Sequence, residues 1–202
     1  MIADADAFER AAARAIEAVV IGASAGGFEA LLAVLKGLPP TYPMPLVAVL
    51  HLPENHDSRL PELFGYRLEL KVCEARDKEA LAPGVLYFAP AGYHLLVETD
   101  RTFSLSCEGR VSYARPSIDV LFETAADAYG KSLAGILLTG ANYDGAAGLA
   151  GMKVAGALTV VQDPATAEVP TMPEAAIRRM APDLILPLAE IHSLLQRLGG
   201  HR

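Results

Sequence analysis

The stretch Val19-Val20-Ile21-Gly22-Ala23-Ser24-Ala25-Gly26-Gly27 decides the fold. A β-branched apolar run passes through a cluster of small residues into Gly27 to Leu38, where apolar residues recur at helical spacing. Only small residues let a chain turn that sharply from strand to helix, and the middle side chain, Ser24, is then exposed at the strand's carboxyl end. The first free amides and the positive end of the helix lie beside it, where they stabilise negative charge on a reacting oxygen. Gly22, Ser24 and Gly26 match G-x-S-x-G, although glycine-rich turns of this kind also cradle phosphates. Ser24 occupies the second glycine position of the dinucleotide fingerprint, and the Lys-Ser/Thr ending of a P-loop is missing. A serine that only caps its helix is the plain alternative.

The same rhythm runs outward from this turn. Short apolar runs at 18–22, 46–51, 70–74, 85–90, 135–139, 158–162 and 183–186 read as strands. Helix-period stretches at 27–38, 58–66, 117–129, 144–155, 173–180 and 188–198 alternate with them. This is the pattern of an α/β protein, a mostly parallel sheet between two helical layers. Tyr93 to Glu98 and Thr102 to Glu108 alternate with period two and predict an antiparallel hairpin appended to the sheet. The expected organisation is a loose helical extension over 1–16 and one domain over 17–200, without repeats or a long linker.

Composition excludes several function classes. The 202 residues are 52% hydrophobic, enough for a full core, and carry a net charge of -7. Lys and Arg are scattered, so no footprint for a phosphate backbone is visible, and nucleic acid is not an expected partner. An acidic partner would be repelled unless a local basic patch intervened. The first residues lack a signal peptide's basic and apolar regions, and no apolar run approaches the roughly 18 residues of a membrane span. These features predict a cytoplasmic protein without membrane insertion. Cys73 and Cys107 fit neither a disulfide framework nor a zinc site and are read as two buried thiols.

A serine hydroxyl needs a base to take its proton. His51 ends the next strand, in Val49-Leu50-His51-Leu52-Pro53, and consecutive parallel strands usually lie side by side with their carboxyl ends on one edge. Alone, His51 would read as a half-buried structural histidine; its placement beside Ser24 makes it the candidate base. Asp144 follows another buried strand through Gly140-Ala141-Asn142-Tyr143-Asp144-Gly145 and is the candidate carboxylate to orient the imidazole, although an N-cap role would also suit it. Asp119, inside a helical pattern, and Asp163, in a turn sequence, are its rivals. His56, His94, His192 and His201 lack ligand spacing, so neither a metal nor a cofactor is expected.

With these residues in view, the chain resembles the catalytic domain of the CheB chemotaxis methylesterases from about Ala18 to Leu198. The matching segments are IGASAGG at 21–27, VLHLP at 49–53, PGVLYFAPAGYH at 83–94, RPSIDVLF at 115–122, LLTGANYDGAAGL at 137–149 and VQDPATAEVPTMPEAA at 161–176. The resemblance implies a Ser-His-Asp triad on Ser24, His51 and Asp144, and the family's parallel-rich sheet between helices with an antiparallel hairpin. It also implies hydrolysis of glutamate γ-methyl esters, with possible deamidation of glutamines, on methylated chemoreceptors or a related signalling protein. The alternative is a catalytically retired binding module of the same fold.

Backbone N–H groups of the loop 140–143, those of Ala141 and Asn142 above all, are the expected oxyanion donors. Ala141 stands where the family often has methionine, and Ala25 where it often has threonine. Both changes leave the chemistry intact and bear on the substrate. Arg115 is a candidate to hold an acidic substrate group or to pair with a carboxylate. Family members usually carry a receiver domain ahead of the catalytic one, whereas about 17 residues precede the first strand here. The expectation is a stand-alone relative controlled by a separate regulatory partner, or a fragment of a longer protein.

Overall fold

Short runs of Val, Leu, Ile and Ala form central parallel strands when both faces of the sheet are covered, and that is their arrangement here. A computed structural model of the chain describes residues 5–51 and 59–200. The strands are β1 (Ala18–Ala23), β2 (Leu46–Leu50), β3 (Lys71–Glu74), β4 (Val85–Phe88), β5 (His94–Val97), β6 (Phe103–Ser106), β7 (Leu133–Leu137), β8 (Leu158–Gln162) and β9 (Leu184–Leu186). The helices are α1 (Ala5–Ala12), α2 (Gly27–Leu35), α3 (Leu60–Gly65), α4 (Ile118–Tyr129), α5 (Ala146–Val154), α6 (Thr171–Arg179) and α7 (Leu188–Gly199). Seven strands make one sheet in the order β3-β4-β2-β1-β7-β8-β9, and every pairing in it is parallel.

Side-chain alternation divides the core in two. Val19, Ile21, Ala48 and Ile136 point into a layer with α2 and α7, to which α1 adds the buried Ala11 and Ala12. Val20, Val47, Val49 and Leu137 point the other way, against α4, α5 and the β5–β6 hairpin. Strand β1 lies at the centre, where the chain order reverses: β2 pairs on one side of it and β7 on the other. The carboxyl ends of β2, β1 and β7 therefore flank the point where the chain order reverses, the usual place for a site in a sheet of this topology.

Several expected boundaries move for identifiable reasons. Strand β7 starts two residues before the predicted Gly135, with Leu133 paired to Ala18. It ends early because the Thr139 amide donates to the Gln162 side chain instead of the ladder. The hairpin forms its own two-stranded ladder and is not joined to the main sheet. Helix α5 begins at Ala146, after Gly145, so Asp144 precedes the helix and does not cap it. The predicted helix start at Ser58 lies outside the described residues, as do Leu52, Pro53, His56 and His201. The two thiols are not both buried: Cys73 is half-buried on an edge strand and Cys107 is exposed just past β6.

Candidate active site

The turn after β1 is held by backbone. Ser24 N–H donates to the Thr139 carbonyl at 3.0 Å, and Gly27 N–H donates to the Ser24 carbonyl at 2.8 Å. Gly26 caps α2 in the left-handed region, at φ 73. A Cβ there would be strained, and it would lie 2.7 Å from the Glu168 carboxylate, which packs over the turn. The Thr139 hydroxyl donates to the Ala25 carbonyl and accepts Val169 N–H, both at 2.9 Å, tying the turn to the loop before α6. The Ser24 hydroxyl is half-exposed and has no hydrogen-bond partner among the described residues.

His51 follows β2 directly, and its amide donates to the Ala23 carbonyl at 3.0 Å. Pairing of Ala23 with Leu50 puts Ser24 and His51 at the same level, and alternation assigns both to the sheet face that carries α4. His51 Nε2 lies 2.9 Å from Asp144 Oδ2. A carboxylate accepts, so this nitrogen carries the proton, and Nδ1 keeps the free lone pair of the neutral ring. The Asn142 amide approaches Nδ1 at 3.5 Å, and the Asn142 side-chain oxygen accepts Asp144 N–H at 3.2 Å.

Asp144 is fully buried. Besides His51, its carboxylate accepts Ile118 N–H at 2.7 Å, Asp119 N–H at 3.1 Å and the Ser117 hydroxyl at 2.8 Å. These donors form the amino end of α4, where free amides and the helix dipole favour an anion. Burial pushes the Asp144 carboxyl up, but the bonds from His51, the two amides and Ser117 outweigh it and hold the group below its ordinary value. Ser117 is held in turn: its amide donates to His94 Nδ1 at 3.2 Å, and His94 Nε2 donates to the Gly109 carbonyl at 3.0 Å. Asp144 is thus an ionised acid with four donors, one of them the His51 imidazole.

Of the rivals, Asp163 caps a short 3-10 turn by accepting Ala165 N–H. Asp119 is buried beside Asp144 and accepts Gly148 N–H at 2.7 Å. Arg115 is exposed, and its Nη1 donates to the carbonyls of Cys107 and Glu108, bracing the chain after the hairpin. In the loop after β7, Gly140 N–H is taken by the Val169 carbonyl. The amides of Ala141 and Asn142 donate to no acceptor among the described residues. A Cβ built on Gly140 would lie 3.0 Å from Ser24 Cβ, so this loop runs alongside the serine.

Sequence reasoning missed three supports: the Ala25 amide, which is also without an acceptor among the described residues, and the buried pair Ser117 and His94. Ser117 had a local signal, since it precedes an apolar helical run as an N-cap does; His94 had none. His192 makes a bond from Nδ1 to the Val34 carbonyl, remote from the edge. No group of three metal-ligating side chains occurs among the described residues.

The model of the CheB methylesterase family matches residues 19–195. A putative protein-glutamate methylesterase/protein-glutamine glutaminase of Leptospira interrogans is 47% identical over 182 residues, which cover 90% of this chain and 94% of that protein. A protein-glutamate methylesterase/protein-glutamine glutaminase of Anaeromyxobacter dehalogenans is 42% identical, over 96% of this chain but 56% of its own length. The crystal structure of the Thermotoga maritima CheB methylesterase catalytic domain superposes with a TM-score of 0.85 at 31% identity, covering 90% of this chain and 98% of that one.

Proposed function

Because the chain belongs to the CheB methylesterase family, we propose that it hydrolyses γ-glutamyl methyl esters on a methylated chemoreceptor or related signalling protein, and glutamine side chains of the same protein, with Ser24 as nucleophile. The observation that carries this reading is the contact of the buried Asp144 with the part-buried His51 at 2.9 Å, at the same sheet edge and level as the Ser24 hydroxyl, which has no partner among the described residues.

Ser24 Oγ attacks the γ-carbonyl carbon while its proton passes to His51 Nδ1. The imidazolium so formed faces the ionised Asp144 through Nε2–H and is stabilised by it. The carbonyl oxygen becomes an oxyanion, for which the unengaged amides of Ala141, Asn142 and Ala25 are the available donors. Collapse of the tetrahedral species breaks the bond to methoxide, which takes the proton from His51 and leaves as methanol. Water then attacks the acyl-enzyme with His51 again as base, releasing glutamate and free Ser24. With a glutamine substrate the leaving group is ammonia and the remaining steps are the same. Main-chain donors make the alanine at 141 compatible with this chemistry.

The site requires a substrate side chain that reaches the carboxyl edge of the sheet from solvent. Among the described residues no helix is long and apolar enough to cross a membrane. We place the enzyme in the cytoplasm, under a separate regulatory partner. The decisive experiment incubates methylated chemoreceptor cytoplasmic fragments with wild type and Ser24→Ala and measures methanol. Ser24→Ala is expected to lose about 10⁴-fold or more of the rate. Equal release by the two proteins defeats the assignment.

A further inference from the structure

Helices α4 and α5 are capped crosswise. Asp144 stands just before the Gly145 cap of α5, yet its carboxylate closes the amino end of α4 through the Ile118 and Asp119 amides. Asp119, in the first turn of α4, closes the amino end of α5 through Gly148 N–H at 2.7 Å. Asp119 N–H also donates to Asp144 Oδ1, so one residue both binds the triad carboxylate and braces the helix that follows it. The arrangement sets two carboxyl groups side by side in the interior, where two full negative charges oppose each other.

The two groups resolve this conflict differently. Asp144 has four donors and stays ionised. Asp119 has fewer, and burial, with the Asp144 charge added, pushes its carboxyl up to about 6. Asp119 also lines an open cleft of about 480 Å³, with Ser112, Tyr143, Arg178 and Arg179 among the other lining residues. There Asp119 Oδ2 accepts the Ser112 hydroxyl at 3.3 Å. The cleft gives a proton a route to this carboxyl that does not pass through the site.

We propose that Asp119 is a positioning residue of the hydrolytic reaction, holding the α4–α5 contact that fixes Asp144 and adding, when ionised, a second negative charge that favours the imidazolium on His51. The inference rests on the triad reading above. The other titratable groups around it are Asp144 from the loop before α5, His51 beyond Asp144, His94 behind Ser117, and Tyr143, Arg178 and Arg179 along the cleft. Both arginines are exposed and screened by water, and Arg178 also pairs with Glu174.

The test is the rate at which a fluorophosphonate labels Ser24, followed by mass spectrometry of the labelled peptide from pH 5 to 8. Asp119→Asn keeps an acceptor for Gly148 N–H and removes the charge. It is expected to match wild type at the acid end, where the wild-type carboxyl is already protonated, and to fall behind by roughly 5- to 20-fold at the alkaline end, the scale of a charge pair at intermediate dielectric. Ser112→Ala, on an exposed turn, removes a donor that favours the ionised form, so its departure from the Asp119→Asn curve should shift to higher pH. If Asp119→Asn does not fold, a displacement of the Ser112→Ala profile to higher pH relative to wild type decides alone. A wild-type to variant ratio independent of pH, or no shift in Ser112→Ala, overturns the proposal. No labelling of Ser24 in wild type defeats the triad reading itself, a separate result.

Discussion

The turns after β1 and β7 use one backbone device for opposite ends. Each follows a central strand, each ends in a left-handed glycine, Gly26 at φ 73 and Gly145 at φ 93, and each leads into a nine-residue helix. The first carries a hydroxyl with no bonding partner among the described residues; the second carries a carboxylate with four donors and no exposure. In the second turn an extra residue separates the flanking glycines, Gly140 and Gly145, and the acid falls directly before the cap. On the proposed reading, the difference teaches that the nucleophile is left unsatisfied so that it can react, whereas the acid proposed to orient its base is over-satisfied so that it cannot move or take up a proton.

The strongest way to break the contrast is to empty the first turn. Ser24→Ala removes a group that supports no packing, so folding stability should change little while ester hydrolysis falls by about 10⁴-fold or more. A variant that unfolds instead would mean the hydroxyl is structural. Next, Asp144→Asn attacks the over-satisfied side. An amide cannot accept from His51 and the α4 amides as a carboxylate does, so both functions should suffer: activity by about 10² to 10⁴-fold, and stability by roughly 1 to 3 kcal/mol in denaturant titration. Intact stability would show that the α4 amides do not depend on this carboxylate.

The glycines sharpen the comparison. A Cβ on Gly145 would meet Leu137 and Ile118 of the core at 2.6 and 2.7 Å, whereas on Gly26 it would meet the exposed Glu168. Both alanine variants carry left-handed strain, but Gly145→Ala should cost the larger share of roughly 1 to 3 kcal/mol, read as the shift in thermal midpoint. The smallest effect is one of pH. The Asp119 carboxyl, raised from 3.8 to about 6, retains a proton that the unfolded chain releases, so wild-type stability falls as pH rises through that window. Asp144, held below its ordinary value, contributes stability above the ordinary carboxylate range that is lost on acidification through its lowered folded value. Asp119→Asn should therefore gain on wild type by a few degrees in thermal midpoint between about pH 4 and 7. A gap that is constant with pH would remove Asp119 from this account.

Much of the site was legible because its signals are local. Small residues around Ser24 announce a tight strand-to-helix turn, and an apolar run ending at His51 announces a strand end. Alternation then carries both side chains to one face once the strands are neighbours. The role of Asp144 was half legible. Its place at the sheet edge follows from the strand before it, but its service to α4, a helix that starts 26 residues earlier in the chain, depends on how α4 packs beside α5. For the same reason Asp119 read as a helical residue and His94 as part of a hairpin, although one caps α5 and the other anchors Ser117.

What the sequence by itself determined is the parallel α/β layering, the sharp turn at Ser24, and the placing of a serine, a histidine and an acid at strand ends. Hydrophobic period and turn chemistry are properties of a few adjacent residues. Only the tertiary structure decided which strands flank β1, which imidazole nitrogen faces the acid, which amides are left without acceptors, and that two carboxyls cap each other's helices. Those outcomes depend on strand order and helix packing between distant segments, where each hydrogen bond requires a register and a distance that no local pattern encodes.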